Sequence, residues 1–259
     1  MKRLYFALIA TIFVLCAAMG YAQDIDESLL LYMSFDTVDG DTVPDHSLHG
    51  NDGEIAGNPK LVDGKFGKAL EFNGQSDWVT VPHAEILTVD KEVTVMAWIN
   101  TPRHTGPGGA QWQGILAKGN GQRSYSLYTD QAVSGLHFSV GGSGTQSAVQ
   151  VALDEWQHVT AQVVKGNTHR YYINGELAGE FGGQNPPPGV ADTEDALIGK
   201  THEGSREFEG LIDEVRIWNR ALTEDEVKEQ MNSGFDDIFA VEARDKLATT
   251  WGKLKLKHR

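Results

Sequence analysis

Cysteine is almost absent from the chain, since Cys16 is the only one among 259 residues. It lies within the apolar run Leu4–Ala18, and Leu15 directly before it is too large for a lipidation signal. A disulfide framework is therefore excluded, and a catalytic thiol is excluded as well once that first segment is removed. We expect the fold to depend on a hydrophobic core, or on a bound metal ion.

Positive charge is also scarce, because 22 lysines and arginines stand against 36 aspartates and glutamates, which gives a formal net charge of −14. Such an acidic surface repels nucleic acids and anionic membranes, so neither is an expected partner. It is compatible with calcium and with neutral sugars. The alternative is that the charge serves only to keep the protein in solution.

Long apolar runs are missing after the first residues of the chain. Lys2 and Arg3 precede the run Leu4–Ala18, and Gly20-Tyr21-Ala22 adds small residues where a signal peptidase cleaves. This pattern predicts a signal peptide at residues 1–22. A transmembrane anchor is the alternative, but the run is shorter than the roughly 20 residues that a spanning helix needs. We expect a secreted, periplasmic or cell-surface protein with no membrane span after cleavage.

Helical periodicity is rare, and short apolar or β-branched runs separated by turn residues take its place. Asn73-Gly74 and Asn174-Gly175 indicate hairpins, because glycine reaches the positive φ of the primed turns. Apolar side chains alternate between two faces, and the aromatics of Tyr125–Tyr128 and of Tyr171-Tyr172 fall on opposite faces. The pattern predicts an all-β fold, a two-sheet antiparallel sandwich. The runs are Leu29–Phe35, Ala69–Phe72, Trp78–Val81, Val93–Ile99, Gly114–Ala117, Tyr125–Tyr128, Leu136–Val140, Ala148–Leu153, Trp156–Val164, Tyr171–Ile173, Ala196–Ile198 and Leu211–Trp218.

One short helix is predicted near the end of the domain. Thr223-Glu224-Asp225-Glu226 forms a capping box, in which Thr223 and Glu226 exchange side-chain to backbone hydrogen bonds. Gly234 ends the helix. We place the domain at residues 27–234 and a basic C-terminal tail at residues 235–259. The tail either lies frayed on the acidic surface or serves as a signal for export or surface attachment.

Several further motifs follow one another in a characteristic order. They are Leu31–Asp36, Asp45–Gly53, Gly64–Gly74, Trp78–Pro82, Val93–Ile99, Ile115–Gly119, Glu155–Val159, Tyr172–Gly175 and Phe208–Leu222. In this order they resemble the laminin G-like jellyroll family of the concanavalin A-like lectin/glucanase superfamily, over about Leu29 to Gly234. The loop Asp45–Gly53 departs from the family pattern, because Leu48 and His49 precede Gly50. The resemblance implies a jellyroll of two antiparallel sheets but no single function, since this fold carries lectins, adhesion modules and hydrolases.

A calcium site is implied by the same resemblance, because family members often hold a structural calcium near the first and last strands. By position its carboxylates would be Asp36, at the end of the first strand, and Asp213, in the last long strand. Asn51 would add a further oxygen, and Ca²⁺ prefers such hard oxygen ligands. The alternative is that Asp36 caps a turn and that Asp213 pairs with Arg216 or Arg220.

A candidate ligand site lies in the glycine-rich loop that ends in Gln111, Trp112 and Gln113 and that also contains His104. Sugars stack their C–H faces on aromatic rings and bond to amides and carboxylates through their hydroxyls. These four residues are therefore the predicted binding residues, for a glycan or for an extracellular protein. Packing of Trp112 in the core is the alternative. The loops expected at the rim of this site are Gly141–Gln146 and Gly199–Glu207.

A set of catalytic residues is not evident in the sequence. Glucanases on this fold carry carboxylates at alternate positions of one strand, so that they share a face. Asp213 and Glu214 are adjacent, which predicts opposite faces, and Leu211 stands where a third carboxylate would follow Glu207 and Glu209. Zinc-binding histidine pairs and nucleophile elbows are missing too. We expect a non-enzymatic carbohydrate- or matrix-binding module, with an adhesion or scaffold domain and a degenerate hydrolase as alternatives.

Overall fold

Two antiparallel β-sheets face each other in the structure, a computed structural model that describes residues 26–121, 123–165, 167–185 and 193–237. A single α-helix of the described residues, α1 (Glu224–Met231), follows the last strand. The predicted all-β sandwich with a C-terminal helix is thereby confirmed. The strands are β1 (Leu29–Met33), β2 (Thr42–Val43), β3 (Gly53–Ala56), β4 (Lys60–Asp63), β5 (Lys68–Asn73), β6 (Trp78–Val81), β7 (Val93–Asn100), β8 (Trp112–Lys118), β9 (Tyr125–Asp130), β10 (Gly135–Val140), β11 (Ser143–Gln146), β12 (Gln157–Val164), β13 (Thr168–Ile173), β14 (Glu176–Phe181), β15 (Ala196–Ile198) and β16 (Glu209–Trp218).

Strand order shows the jellyroll character of the sandwich. The first sheet has the order β14-β13-β12-β7-β16-β5-β4, and β1 pairs with the C-terminal half of β16. The second sheet has the order β11-β10-β9-β8-β15-β6-β3-β2. Strands distant in sequence are neighbours in both sheets, so the chain crosses repeatedly from one sheet to the other. Consecutive antiparallel pairing places β8, β9 and β10 side by side in the second sheet, and a crossover brings β15 beside β8.

The core fills the space between the sheets, and alternation along the strands determines which side chains enter it. In β7, Val93, Val95, Ala97 and Ile99 all belong to the core cluster, as the sequence pattern predicts. Burying them removes apolar surface from water. This hydrophobic effect is the main contribution that holds the two sheets together. In β9, Tyr125 also points into this core, so that alternation sends Tyr128 to the outer side.

Helix α1 covers part of the outer face of the first sheet. The predicted capping box is present, because the Thr223 side chain accepts from the Glu226 backbone N–H while Glu226 accepts from that of Thr223. Trp98 of β7 donates its indole N–H to the carbonyl of Met231, 3.1 Å away. Arg216 of β16 donates to the carbonyls of two residues at the helix end, Gln230 and Ser233. The last strand and the helix are therefore joined through buried polar contacts.

Two local predictions differ from the structure. The run Ala148–Leu153 is not a strand, whereas Ser143–Gln146, predicted as a loop, is the edge strand β11 paired with β10. The sequence of β11 has no apolar alternation, and pairing with β10 supplies its order instead. The signal peptide at residues 1–22 and most of the basic tail lie outside the described residues. Within the part of the chain described, no helix combines the length and apolar character needed to cross a bilayer.

A buried histidine makes the stability of the first sheet sensitive to acid. His158 of β12 is fully buried, with its ring 5.3 Å from that of Trp98. Burial, assisted by the charge of Arg216, lowers the pKa of His158 to about 3. Below about pH 6.5 the His158 ring therefore binds a proton in the unfolded chain but stays neutral in the folded chain. Stability supplied by the neutral ring is lost as pH falls from about 6.5 towards 3.

We expect the His158→Phe variant to lose this part of the acid sensitivity. Neither ring nitrogen of His158 has a hydrogen-bond partner among the described residues, so phenylalanine leaves no donor or acceptor unpaired. The free energy of unfolding of the variant, relative to the wild type, should rise by about 1.4 kcal/mol for each pH unit below 6.5. Urea denaturation at pH 7 and at pH 5 measures this, with His49→Gln in a surface loop as control. A wild-type to variant difference that is independent of pH would contradict the buried neutral state.

Candidate functional site

The outer face of the second sheet gathers polar and aromatic side chains from three adjacent strands. Leu127, Leu136 and Phe138 point into the core, so the residues between them point outward. Tyr128 of β9 lies opposite His137 of β10 in the strand register. A pocket of about 60 Å³, here called the Trp112 pocket, opens at this place. It is lined by Trp112, Arg123, Tyr128, His137, Ser139 and Arg206.

Asp130, at the end of β9, fixes the base of the Trp112 pocket. It is fully buried and accepts hydrogen bonds from Gln111 Nε2 at 3.0 Å, from Trp112 Nε1 at 3.1 Å and from Gln146 Nε2 at 2.6 Å. Burial alone would raise the pKa of Asp130, but these bonds, the backbone N–H of Ala132 and the neighbouring His137 ring together outweigh it and hold the pKa far below its usual value. Asp130 is thus a permanent carboxylate that fixes the orientation of Trp112.

Three rings surround the Trp112 pocket. The His137 ring centroid lies 5.7 Å from that of Trp112 and 5.6 Å from that of Tyr128, with the rings inclined to each other. His137 Nδ1 is 3.5 Å from Asp130 Oδ2, too far for a well-formed hydrogen bond. Burial raises the pKa of Tyr128, so its hydroxyl keeps its proton at neutral pH. The rings offer apolar faces next to polar edges.

Two arginines cover the rings. The Arg206 guanidinium lies 4.8 Å from the Trp112 centroid and 5.7 Å from that of Tyr128, and Arg123 lies 5.7 Å from Tyr128. Glu203 accepts a hydrogen bond from Arg123, and its other oxygen is 3.3 Å from Arg206 Nη1. The loop before β16 thereby meets the turn before β9, as the prediction of a rim at Gly199–Glu207 requires.

Several buried polar atoms of this region have no partner with hydrogen-bond geometry among the described residues. They are the hydroxyl oxygens of Ser126 and Tyr128, Nδ1 of His137 and Nε of Arg123. A buried polar group without a partner costs about 1–3 kcal/mol, and native proteins rarely leave several together. Donors and acceptors that converge beside aromatic faces are typical of a site for a polar ligand.

Only part of this site is predictable from the sequence. Trp112 and Gln111 are brought together at Asp130, as described above. His104 is not part of the pocket, because its ring bonds to the carbonyl of Val151, 2.8 Å away. Gln113 is fully buried on the core side of β8 and bonds to backbone groups, among them the N–H of Glu209 at 2.8 Å. Both residues instead hold the loop before β8 against its neighbours.

A second place of interest is the turn between β4 and β5, where the two predicted calcium ligands meet. Asp213 Oδ2 accepts from the backbone N–H groups of Lys65 at 2.8 Å and Phe66 at 3.1 Å, while Asp36 Oδ1 accepts from that of Lys68 at 2.7 Å. Asp213 Oδ1 is buried and has no hydrogen-bond partner among the described residues. Both carboxylates thus approach the same turn, and one carboxylate oxygen, Asp213 Oδ1, remains without a hydrogen-bond partner among the described residues.

The carboxyl of Asp213 is poorly placed to carry a charge on its own. Burial, and then the neighbouring carboxylate of Glu214, raises its pKa to about 8. Glu214 has a φ of 53° within a bulge of β16, and both Ile212 and Val215 belong to the core. Asp213 and Glu214 therefore lie together on the outer side, and the prediction that they point to opposite faces is wrong. The bulge interrupts the alternation on which that prediction depended.

The ion pairs weighed as alternatives for Asp213 are not formed. Arg216 Nη2 bonds to Glu214 at 2.6 Å, and Arg220 pairs with Asp26 at 3.0 Å. Asn51 donates its side-chain amide to the carbonyl of Leu30, 3.0 Å away, and no contact joins it to either aspartate in the described structure. In the described part of the chain, no group of three or more His, Cys, Asp or Glu side chains is arranged to hold a metal ion. A cation at this turn would need backbone carbonyl or water oxygens as well.

A larger cleft, of about 580 Å³, lies on the outer face of the first sheet. Its carboxylates already have partners: Asp77 accepts from the backbone of Asn58 and of Asn73, and Glu209 pairs with Arg103 at 2.7 Å. Its one aromatic lining residue, Phe72, is buried in the core. The smaller Trp112 pocket is therefore the better candidate, in spite of its size.

The family of the chain is shown by a laminin G family model, described as the concanavalin A-like lectin/glucanases superfamily, which matches residues 73–228. This is more than half of the chain, and the chain therefore belongs to that superfamily. The sequence resemblance to this family is confirmed. A comparison with curated proteins found no match.

Solved structures of similar fold include domain 4 of AbnA, an extracellular GH43 arabinanase from Geobacillus stearothermophilus, in complex with arabinotriose. It matches with a TM-score of 0.62 and 21% identity, over 79% of this chain and 98% of that domain. The binding domain of Paraclostridial Mosquitocidal Protein 1 matches with a TM-score of 0.64 and 17% identity, over 81% of this chain and 53% of that one. Trypanosoma rangeli sialidase in complex with the inhibitor DANA matches with a TM-score of 0.59 and 18% identity, over 78% of this chain and 32% of the sialidase. At these identities the likeness shows the fold.

Proposed function

We propose that the chain is an exported, non-enzymatic carbohydrate-binding module and that the Trp112 pocket is its binding site. The observation that carries the proposal is that the pocket lined by Trp112 and Tyr128 also contains buried polar atoms without a hydrogen-bond partner among the described residues, on Arg123, Tyr128 and His137. A sugar ring offers C–H groups to such faces and hydroxyls to such polar atoms. The AbnA domain, which the chain matches over nearly its whole length and which is described with arabinotriose, makes an oligosaccharide a reasonable ligand class.

The two carboxylates near the pocket support binding rather than hydrolysis. A glycosidase needs one carboxylic acid with a raised pKa to protonate the leaving oxygen. Asp130 has the opposite shift and uses its oxygens on donors of the pocket base. Glu203 is held by Arg123 and lies beside Arg206. Both oxygens of Glu203 therefore already face guanidinium groups.

Isothermal titration of the purified protein with a panel of arabino-, xylo- and galacto-oligosaccharides, neutral and acidic, tests the proposal. We expect saturable binding of at least one class, and no release of reducing sugar from any polysaccharide. Capture of protein partners with no response to any glycan would favour the adhesion or scaffold alternative instead. Turnover of a polysaccharide would favour the hydrolase alternative.

We also propose that calcium binds at the turn between β4 and β5 through Asp36 and Asp213. The unpartnered Asp213 oxygen and the raised pKa of its carboxyl support this, because a divalent cation stabilises the ionised form that burial opposes. Calcium would supply structural stability at this turn, which Asp213 orients through the N–H groups of Lys65 and Phe66. Asn51 could bind the calcium ion only if its side chain gave up the hydrogen bond that it donates to the carbonyl of Leu30.

A further inference from the structure

We propose that the Trp112 pocket selects sugars that carry a carboxylate, and that Glu203 marks the position which this carboxylate takes. The inference rests on the proposed glycan-binding function and names the class of glycan. In an unusual arrangement, the guanidinium groups of Arg123 and Arg206 share the carboxylate of Glu203 beside the aromatic rings of the pocket. Arg123 bonds to one oxygen of Glu203, and Arg206 Nη1 lies 3.3 Å from the other.

The two arginines have more hydrogen-bonding capacity than Glu203 uses. A guanidinium carries five N–H donors, and its planar fork fits the two oxygens of a carboxylate. Nε of Arg123 is buried and has no hydrogen-bond partner in the described part of the chain. One carboxylate between two cations also leaves a local excess of positive charge. Asp130 does not balance this excess by direct contact, since its hydrogen bonds come from Gln111, Trp112, Gln146 and the backbone N–H of Ala132.

The guanidinium of Arg206 lies over the face of Trp112, where a neutral sugar would be expected to stack. A neutral sugar therefore has to displace this cation from the ring. A sugar with a carboxylate can instead leave both arginines in place and exchange with Glu203. Its ring then lies beside Trp112 and Tyr128 while its charged group occupies the bridge between Arg123 and Arg206.

Glu203 can leave the bridge without disturbing the core. Glu203 is itself half-buried, but the next two residues of the bend, Gly204 and Ser205, are exposed, and Ser205 has a φ of 60°. A Cβ atom added at Gly204 would meet no atom within 4 Å. The space around the bend is therefore open, and rotation of the Glu203 side chain displaces no packed residue.

The formal net charge of −14 restricts the kind of acidic glycan that fits. Densely sulfated or phosphorylated polymers are repelled by the acidic body of the protein over several ångströms. A single carboxylate at short range feels mainly the two arginines. We therefore infer a glycan with uronic acid residues rather than a sulfated one.

The experiment compares trigalacturonate with α-1,4-linked galactotriose by isothermal titration; the two differ only in whether C6 is a carboxylate or a hydroxymethyl group. We expect the wild type to bind the uronate at least about tenfold more tightly, as expected for charge-assisted hydrogen bonds. Arg123→Gln should abolish this preference, because it weakens binding of the uronate far more than binding of galactotriose. Glu203→Gln should tighten binding of the uronate several-fold, because the internal competitor is weakened.

A matched control uses an arginine–glutamate pair of the first sheet, remote from the pocket. Arg170 Nη2 lies 2.5 Å from Glu180, and Arg170→Gln and Glu180→Gln should change neither affinity. Equal binding of the two trisaccharides by the wild type, unaffected by Arg123→Gln, would overturn the selectivity and leave the glycan-binding function standing. Binding of neither trisaccharide would overturn the selectivity as well, and the wider panel then decides whether the glycan-binding function also fails. Tighter binding of heparin-like sulfated oligosaccharides than of the uronate would also overturn it.

Discussion

Replacement of Trp112 by alanine is expected to abolish detectable glycan binding. The substitution removes the largest apolar face of the pocket and the ring over which Arg206 lies, 4.8 Å away. Aromatic residues at the centre of a binding site commonly contribute about 2–4 kcal/mol, which is a loss of roughly 30-fold to 1,000-fold in affinity. Titration of the variant with the best ligand of the wild type measures this loss.

Two further variants separate loss of binding from loss of structure. Asp130 keeps Gln111 and Gln146 as donors in Trp112→Ala, so the fold should persist with a thermal midpoint close to that of the wild type. Trp156→Ala removes a half-buried tryptophan just before β12, outside the pocket, and should bind normally. Trp112→Phe keeps an aromatic face but cannot donate to Asp130, and we expect intermediate affinity. Undiminished binding by Trp112→Ala would place the glycan site elsewhere on the protein.

Saturating calcium is expected to raise the thermal midpoint of the protein, relative to the same sample in chelator. A ligand that binds only the folded state at 100 times its Kd adds about 2.7 kcal/mol of stability. For a domain of this size that corresponds to roughly 5–10 °C. The reason is local: the cation would take the place of the proton on Asp213 and stabilise the ionised carboxylate, which burial otherwise opposes by raising the pKa to about 8. Differential scanning calorimetry with calcium and with chelator measures the increment.

The increment should depend on the carboxylates at the turn and not on acidity in general. Asp213→Asn and Asp36→Asn should each lose it. Asp63→Asn is the matched control, because Asp63 lies in β4 near the same turn and forms an exposed pair with Lys68. If the wild type shows no increment, or if Asp213→Asn retains it, calcium does not bind at this turn.

Much of the fold could be read from the sequence, because the physical signals are local. The alternation in β7 identifies the four core residues that the structure confirms, and the capping box places the start of helix α1 to within a residue, whereas the helix ends at Met231 rather than at Gly234. The spacing of Tyr125 and Tyr128 likewise indicates that the two rings lie on opposite faces of the strand. Each of these signals lies within a few consecutive residues and depends on strand or helix geometry alone.

The site was only partly predictable, because its members come from separate parts of the chain. Trp112 and Gln111 stand out in a polar loop, but Arg123, Glu203 and Arg206 become neighbours only through the crossovers between the sheets. Gln113 was predicted to bind ligand together with Trp112, but neighbouring residues of a strand point to opposite faces, and the side chain of Gln113 points towards the core. The bulge at Glu214 has no pattern of its own in the sequence, since it depends on the pairing of β16 with β7 on one side and β1 and β5 on the other.

The buried guanidinium of Arg216 has a consequence for how the chain can be divided. Arg216 lies in the last strand and donates hydrogen bonds to the carbonyls of Gln230 and Ser233. These carbonyls at the helix end replace the water molecules that would solvate the guanidinium group in the unfolded chain. A fragment cut at the end of β16, or at residue 228 where the family match stops, would leave this cation facing Glu214 without those carbonyls. The smallest piece that can fold as a unit therefore extends at least through Ser233, and α1 belongs to the sandwich as fully as any of its strands.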